Sequence, residues 1–450
     1  MRRAVRLGVS ACLAFVAVVV VQPLRADLTA TEILHRSFAG DTAPTPADTS
    51  TAVSSDDDGN ATVRFRARRT ELARDPETDR FVKRYIGDVR FEMNPRVWIT
   101  AMQAEYDARR HLARLAGNVA AEDSGRTMRA DDATYFFREH NESRRSGPVL
   151  RLVGHVVLRD SERTLRADRI DYYVERDSAA AFGRVSATHP DGWLKADTVF
   201  AQTEARRLAA IGNVEVADTT QDALISSGWY LYSGEDSVGL VARLPRLTMG
   251  AGDTAVVVTA DSMRLDQRTS RASAWDSVRI RRGGLVATCD AVTYDADAER
   301  LDLRGMPRAV HTERSDSTTT ESRVSGTDIS MLMDGTEVRE VIVRGGARGV
   351  AQELGETGRS LGERWIAGDE IVFVLDGDRI RRVDVFGQAR SHYVPNEAER
   401  EKEGMNRASG DTMSISFRRG RMERVALRGG VMGVFTPPPD STRQGRDEER

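Results

Sequence analysis

The string Gly358-Arg359-Ser360-Leu361-Gly362 spells the Gly-x-Ser-x-Gly elbow on which α/β hydrolases present a nucleophilic serine. That elbow works only on a sharp turn between a buried strand and a helix, because the turn lifts the hydroxyl clear of the sheet. Here Glu353-Leu354-Gly355-Glu356-Thr357 precedes it and Glu363-Arg364-Trp365 follows, which reads as a polar loop. The overlapping run from Gly355 to Ser360 lacks the length and the lysine of a phosphate loop. Of the histidines His35, His111, His140, His155, His189, His311 and His392, none pairs at metal-ligand spacing, and no His-Glu-x-x-His string occurs. His155 falls at an outward strand position. Acid pairs such as Asp131-Asp132 sit at turns, where backbone N–H groups satisfy a carboxylate, with calcium as the alternative. Cys12 lies in the leader, so Cys289 is the one cysteine of a processed chain and no internal disulfide forms. These residues predict no catalytic, cofactor or metal constellation, and a protein that is not an enzyme.

The elements that must position any function are a repeat. Leu165-Arg166-Ala167-Asp168-Arg169-Ile170-Asp171-Tyr172 is followed by Gly183-Arg184-Val185, and Met128 to Tyr135 is followed by Leu152-Val153-Gly154-His155-Val156. The small residue that opens each copy falls at Ala101, Ala130, Ala167, Ala196, Ser226, Ala260, Cys289, Gly326, Gly368 and Gly410. The gaps run from 29 (130 − 101) to 42 (368 − 326) residues. Asp follows at most of these positions and is replaced at Met102, Ser227 and Thr327. Gly-x-Val partners recur at Gly87, Gly117, Gly212 and Gly429. A chain built this way is a stack of one small unit, and its function lies on the stack's surface or in its groove.

The unit reads as β. Leu150, Leu152, Gly154, Val156 and Leu158 alternate with Arg151, Val153, His155, Val157 and Arg159, the period of a half-buried strand. Val425, Leu427, Gly429 and Val431 repeat the alternation. Leu165 and Ala167 share one face, and Ile170, Tyr172 and Val174 share the next. The odd step between the two sets requires a bulge or corner at Ala-Asp to bring both to the same side. Each copy supplies about two strands, with polar turns such as Glu175-Arg176-Asp177-Ser178 between them. Thr312 to Ser322 and Pro395 to Ser409 read as loops, and no long helical pattern occurs in the repeat region.

The 450 residues are 40% hydrophobic and 30% charged, enough for a sizeable core in a thin structure with much surface. A formal net charge of −3 marks no nucleic-acid binder, so no nucleic-acid partner is expected. Arg2, Arg3 and Arg6 precede an apolar run from Leu7 to Val21, with Leu24-Arg25-Ala26 as a cleavage site. Residues 1–26 are therefore a signal peptide, or an anchor if uncleaved. Val9-Ser10-Ala11-Cys12 matches a lipobox on letters, but the apolar run follows the cysteine instead of preceding it. Residues 27–61 read as a flexible linker, rich in Ala, Thr, Ser, Asp and Pro from 38 onward, and 436–450 as a disordered tail.

The pattern Leu-x-Ala-Asp-x-apolar-x-Tyr, then apolar-x-Gly-x-Val, resembles the OstA/LptA-like family. It is carried by Leu165 to Tyr172, by Leu194 to Phe200 with Leu208 to Val214, and by Met128 to Tyr135 with Leu150 to Val156. Gly368 to Phe373 and Val383 to Ala389 are similar in style. That family comprises periplasmic lipopolysaccharide-transport proteins and the N-terminal periplasmic domain of the outer-membrane assembly protein LptD. The resemblance implies an all-β fold, an elongated open β-jellyroll of stacked antiparallel strands, over residues 62–311 and again over 323–435. It implies a non-enzymatic bridge in the periplasm, free or associated with the inner or outer membrane. Lipopolysaccharide or a related glycolipid would be its ligand, and other envelope β-jellyroll proteins its partners through sheet edges. The chain departs from the family in its greater length, its larger number of copies and the lack of the large barrel of LptD. Candidates to line the groove are Leu152, Val156, Leu165, Ile170, Leu194, Val199, Val214, Leu303, Val383 and Val385. Each buried methylene contributes roughly 0.8 kcal/mol, so a twelve-carbon chain gains about 8–10 kcal/mol from an aliphatic lining alone. The alternative from another class is a structural or adhesive β-repeat protein whose core is closed. A hydrolase using Ser360 is the third.

Overall fold

The computed structural model describes residues 51–438 apart from 56–61, 75–80, 95–96, 124–125, 138–147, 160–163, 174–177, 203–204, 220–221, 253–254, 315–317, 335–336, 356–359, 377–378, 396–403 and 419–420. The leader, most of the stretch read as a linker, and the last twelve positions of the tail lie outside the described residues. Thr51–Ser55, inside that linker stretch, is a strand paired antiparallel with Thr62–Arg66. The chain forms two compact units that meet in sequence between Arg243 and Leu244.

The fold is all-β, a jellyroll-type stack in which successive strands pair antiparallel. In the first unit Val149–Arg159 pairs with Thr164–Tyr173, which pairs with Ser178–His189, then Gly192–Gln202, Arg207–Asp218 and Ala223–Ser233. The same logic runs through the second unit, where Glu337–Gly355, Ser360–Asp376, Arg379–Val394 and Met405–Arg418 pair in turn.

The long strands pass through a corner near their middle, and the corner explains the repeated motif. Phe182 faces Thr198 and Val185 faces Ala196, so Gly183-Arg184 on one strand oppose the single residue Asp197 on the next. Two residues against one is a β-bulge, which bends the strand and raises its twist. Both bulge residues are left-handed, Gly183 at φ +74° and Arg184 at φ +46°. The Gly-x strand keeps its alternation across the corner, so Ala181 and Val185 are both buried. The Asp strand shifts by one, so Leu165, Ala167, Ile170 and Tyr172 are all buried. That is the phase correction the spacing demanded, with the bulge on the glycine strand.

In the first unit the corner splits each long strand between two sheets, and the sheets face each other. Phe91 lies beyond its strand's corner and Tyr135 beyond its own on the facing sheet, and their rings sit 5.6 Å apart. Phe65 stacks on Tyr85 at 4.3 Å across the same gap. A bulge that folds a ribbon over on itself leaves one apolar face inside, and the sequence supplies apolar residues there on both halves.

Several expectations change. Thr312 to Ser322 is no loop: Arg308–Arg314 and Thr318–Ser325 form a hairpin in register, Thr312 opposite Glu321. Threonine-rich polar segments pair well across strands, and edge or two-sided polar strands carry no alternation to announce them. Pro395 to Ser409 likewise ends inside the strand Met405–Arg418. Glu353 to Trp365 forms the ends of two long strands, Glu337–Gly355 and Ser360–Asp376, around the undescribed 356–359. Val425 and Val431, read as half-buried, are 42% and 56% exposed. Val425 lies in Arg421–Arg428 and Val431 just before Met432–Thr436, the last described strands, which pair with Met405–Arg418.

Candidate functional site

The inward faces of the two sheets form the candidate site. In the first unit one row crosses the strands as Leu115, Ala133, Leu152, Ile170, Ala181, Val199 and Ala210, each directly opposite the next. On the facing sheet Met128, Leu158, Leu165, Ala187, Leu194 and Val216 do the same. Side chains that stand directly opposite on one face touch, so each row is a continuous apolar strip. Bulky and small residues alternate along much of the first row, whereas the second is bulky except at Ala187.

The structure brings the predicted lining residues of the first unit together on these strips. Leu152, Ile170 and Val199 lie on one sheet, and Leu165 and Leu194 on the other, with Val156 and Val214 just beyond the bulges of their strands. Leu303, Val383 and Val385 occupy the equivalent face of the second unit, Leu303 against Val292 and Ile329, and Val385 against Ile371 and Met413. All of them are buried, none more than 4% exposed. At these positions the strips are packed against protein.

The interior changes in character along the first unit. Phe65, Tyr85, Phe91, Tyr106, Tyr135 and Phe137 make a continuous ring cluster, with Tyr135 and Phe137 edge-on at 4.9 Å. The Tyr85 hydroxyl is buried there without a hydrogen-bond partner, and burial, with the neighbouring Tyr106, pushes its pKa up. Farther along, Ala179, Ala181, Ala187, Ala196, Ala201 and Ala210 face inward. Sequence reasoning missed this gradation, although the composition of the successive copies carries it.

The corner column is the other ordered array. At three successive corners the residue after the glycine reaches the acid on the neighbouring strand. His155 Nδ1 lies 2.8 Å from Asp131 Oδ2, the Arg184 guanidinium 2.7 Å from Asp168, and Asn213 Nδ2 2.9 Å from Asp197. The Arg184 hydrogen bond holds the Asp168 carboxyl below the usual carboxylate range. A Cβ added at Gly183 or Gly212 would come within 3.0 Å of the Asp168 or Asp197 carboxyl carbon. The acid and the glycine are thus one device: the glycine supplies the left-handed turn and the space, and the acid anchors the turn. Asp131 belongs to this column, and among the described residues no cluster could hold a metal ion.

Ser360 opens a strand and is exposed, opposite Leu354. A strand after the serine is not the helix that a nucleophile elbow requires. Cys289 is buried at the small corner position, and its thiol is pushed up to about 12 by burial, with Asp290 beside it adding to the effect. His311, half-buried, is held low by desolvation.

No family model matches the chain, and no curated protein does. Among solved structures it is similar to LptH, the LptA-homologous periplasmic component of the lipopolysaccharide transport device of Pseudomonas aeruginosa. The identity is 15%, over 26% of this chain and 82% of that one, with a TM-score of 0.22.

Proposed function

We propose that this chain is a non-enzymatic lipid-handling protein of the cell envelope, which takes acyl chains of lipopolysaccharide or a related glycolipid between its two sheets. The observation that carries the reading is the pair of facing apolar strips, uninterrupted from strand to strand through the first unit. A long hydrocarbon needs a long continuous apolar surface and no hydrogen bonds, and the strips offer that. The resemblance of the Ala-Asp and Gly-x-Val copies to the OstA/LptA-like family points the same way, and the leader sequence fits a periplasmic location. In this reading the sheets part at the side away from the corners, and the ligand replaces contacts between the strips. Partners of similar build would join through the terminal strand, where Met432, Val434 and Phe435 are exposed.

One observation favours the second reading, a structural repeat protein with a closed core: the lining residues are buried in the chain alone. Mass spectrometry of lipids that copurify with the protein separates the two. So does a photo-crosslinker, which in the lipid reading captures glycolipid from Leu152, Val199 or Val385 and not from outward Arg151, Arg166 or Asp384. Val199→Asp then weakens capture in a chain that still gives a β-sheet circular dichroism spectrum, because an unpaired carboxylate there costs several kcal/mol. Equal capture from both faces, or none from folded protein given lipid, leaves the closed repeat.

A further inference from the structure

Period-two alternation should leave the outer faces of both sheets polar. On one sheet of the first unit it does not. Phe182 stands opposite Thr198, then Ile211, then Trp229 and Ala242. In the next row out, Ala180 faces Phe200, then Ala209, Leu231 and Leu240. No charged residue occurs in either row across these strands. Phe182 and Phe200 meet edge to face at 6.1 Å, and Phe200 is 43% exposed. The rows become charged only toward earlier strands, where Arg169 lies 4.2 Å over Phe182 and the Arg151–Asp171 pair begins.

Elsewhere the two outward rows are not both apolar. On the facing sheet of the same strands the row nearer the corner is Arg166, Ser186, Lys195, Glu215 and Ser226, and only the row beyond it, Thr164, Thr188, Trp193, Ala217 and Leu224, is uncharged. In the second unit the matching row runs Arg304, Asp328, Arg344, Glu370, Phe386 and Thr412. Two adjacent uncharged apolar rows are therefore a local feature of residues 178–242 on one sheet, and not a property of the repeat.

We propose that this face, built on Phe182, Phe200, Ile211, Trp229, Leu231 and Leu240, rests on the surface of a lipid bilayer. Its size argues against a second copy of the chain. Five strands about 4.8 Å apart with two outward residues each cover about 20 Å by about 14 Å. A stable dimer buries about 800 Å² on each partner, well beyond that area. Its form argues against a protein anchor, since two flat rows offer no socket for a hot-spot side chain. Its composition fits a bilayer: aromatic rings including a tryptophan, a guanidinium laid on one ring at the border, and Arg207 at the hairpin end. The leader read in residues 1–26 would deliver the chain to the cell envelope, where a bilayer surface lies within reach. The proposal does not depend on what fills the interior.

The test uses the full chain with Cys12→Ser and single substitutions Phe200→Cys, Leu231→Cys, Arg166→Cys and Lys195→Cys, each labelled with bimane. Buried Cys289 stays unlabelled in the folded chain. Vesicles of phosphatidylethanolamine and phosphatidylglycerol carry nitroxide on their acyl chains. Loss of fluorescence at 200 and 231, with none lost at 166 and 195, is the expected result, and it holds whether or not the leader is retained. Phe200→Cys alone suffices if Leu231→Cys does not fold. No quenching at position 200, or quenching equal at all sites, overturns the proposal. So does shielding of position 200 without vesicles in a species of doubled mass, which assigns the face to a second copy.

Discussion

Gly212→Ala is the sharpest test of the corner. Gly212 sits at φ +77°, and an added Cβ would lie 3.0 Å from the Asp197 carboxyl carbon, with one carboxylate oxygen nearer still. Holding an L-residue there costs about 1–2 kcal/mol. Displacing the carboxylate also breaks its 2.9 Å bond from Asn213, worth about 0.5–1.5 kcal/mol. Stiffening of the unfolded chain returns about 0.4–1 kcal/mol, leaving a net loss of about 0.5–3 kcal/mol. Asp197→Ala removes the obstructing group, so in that background the same substitution should cost less, by about the value of the hydrogen bond. Two units make a single unfolding transition an unsafe readout, so the measurement is peptide-resolved hydrogen exchange over Gly192–Gln202 and Arg207–Asp218. An equal cost in both backgrounds would show that the acid and the glycine are not coupled. A neutral Gly212→Ala in the native background would refute the left-handed corner itself.

Arg151→Ala should destabilise the first unit by about 1–3 kcal/mol, because Asp171 is buried and takes two bonds from that guanidinium, at 2.8 and 3.1 Å. Arg184→Ala, which breaks a solvent-exposed pair, should lower urea midpoints only slightly, and by less than Arg151→Ala does. Asp295 is held below the ordinary carboxylate range by the Ala298 backbone N–H and by Arg271. A depressed carboxyl stabilises the fold above the ordinary carboxylate range, and that stability is lost as pH falls through the range toward its folded pKa. Thermal scans below pH 5 should therefore show a steeper decline for the native chain than for Asp295→Asn. Cys289 should react with a thiol reagent at pH 8 only as fast as its unit opens, and faster reaction in folded protein would contradict its burial.

The corner was legible in sequence because glycine is the cheapest way to place a left-handed residue opposite an acid. Where another residue takes that role, the signal vanishes. Asp276 and Ser277 hold φ +62° and +54°, and Asp261 donates its backbone N–H to the carbonyls of Trp275 and Asp276. This is the same corner without a glycine. Arg243 and Leu244 occupy it again at φ +65° and +59°, where the two units divide. Asp and Ser tolerate such a backbone locally, and at Arg243-Leu244 the Arg243 carbonyl accepts the Gly228 backbone N–H, so neither pair matches Gly-x-Val. The outer apolar rows were hidden for a different reason. Ala179-Ala180-Ala181-Phe182 is apolar without a break, and a run of that kind does not say which of its two faces is inside.

The lining residues expose the limit of alternation as a guide to function. Period two fixes which side chains point inward, and the structure agrees for every predicted one. It says nothing about the gap between the sheets, which depends on how bulky the opposed residues are. Around Phe65, Phe91 and Tyr135 rings bridge that gap, whereas from Ala179 to Ala210 alanines dominate and the sheets close on them. A hydrocarbon that enters must first separate strips that already bury each other, then cover both again. Those two steps nearly cancel, since the strips leave one apolar surface for another. What remains is the ligand's own transfer from water, about 0.8 kcal/mol per methylene, less the packing lost where the chain fits worse than the protein did. The balance is most favourable where the displaced contacts are smallest. If lipid enters the first unit, the alanine segment is therefore where it should go, with the aromatic cluster as the end of its path.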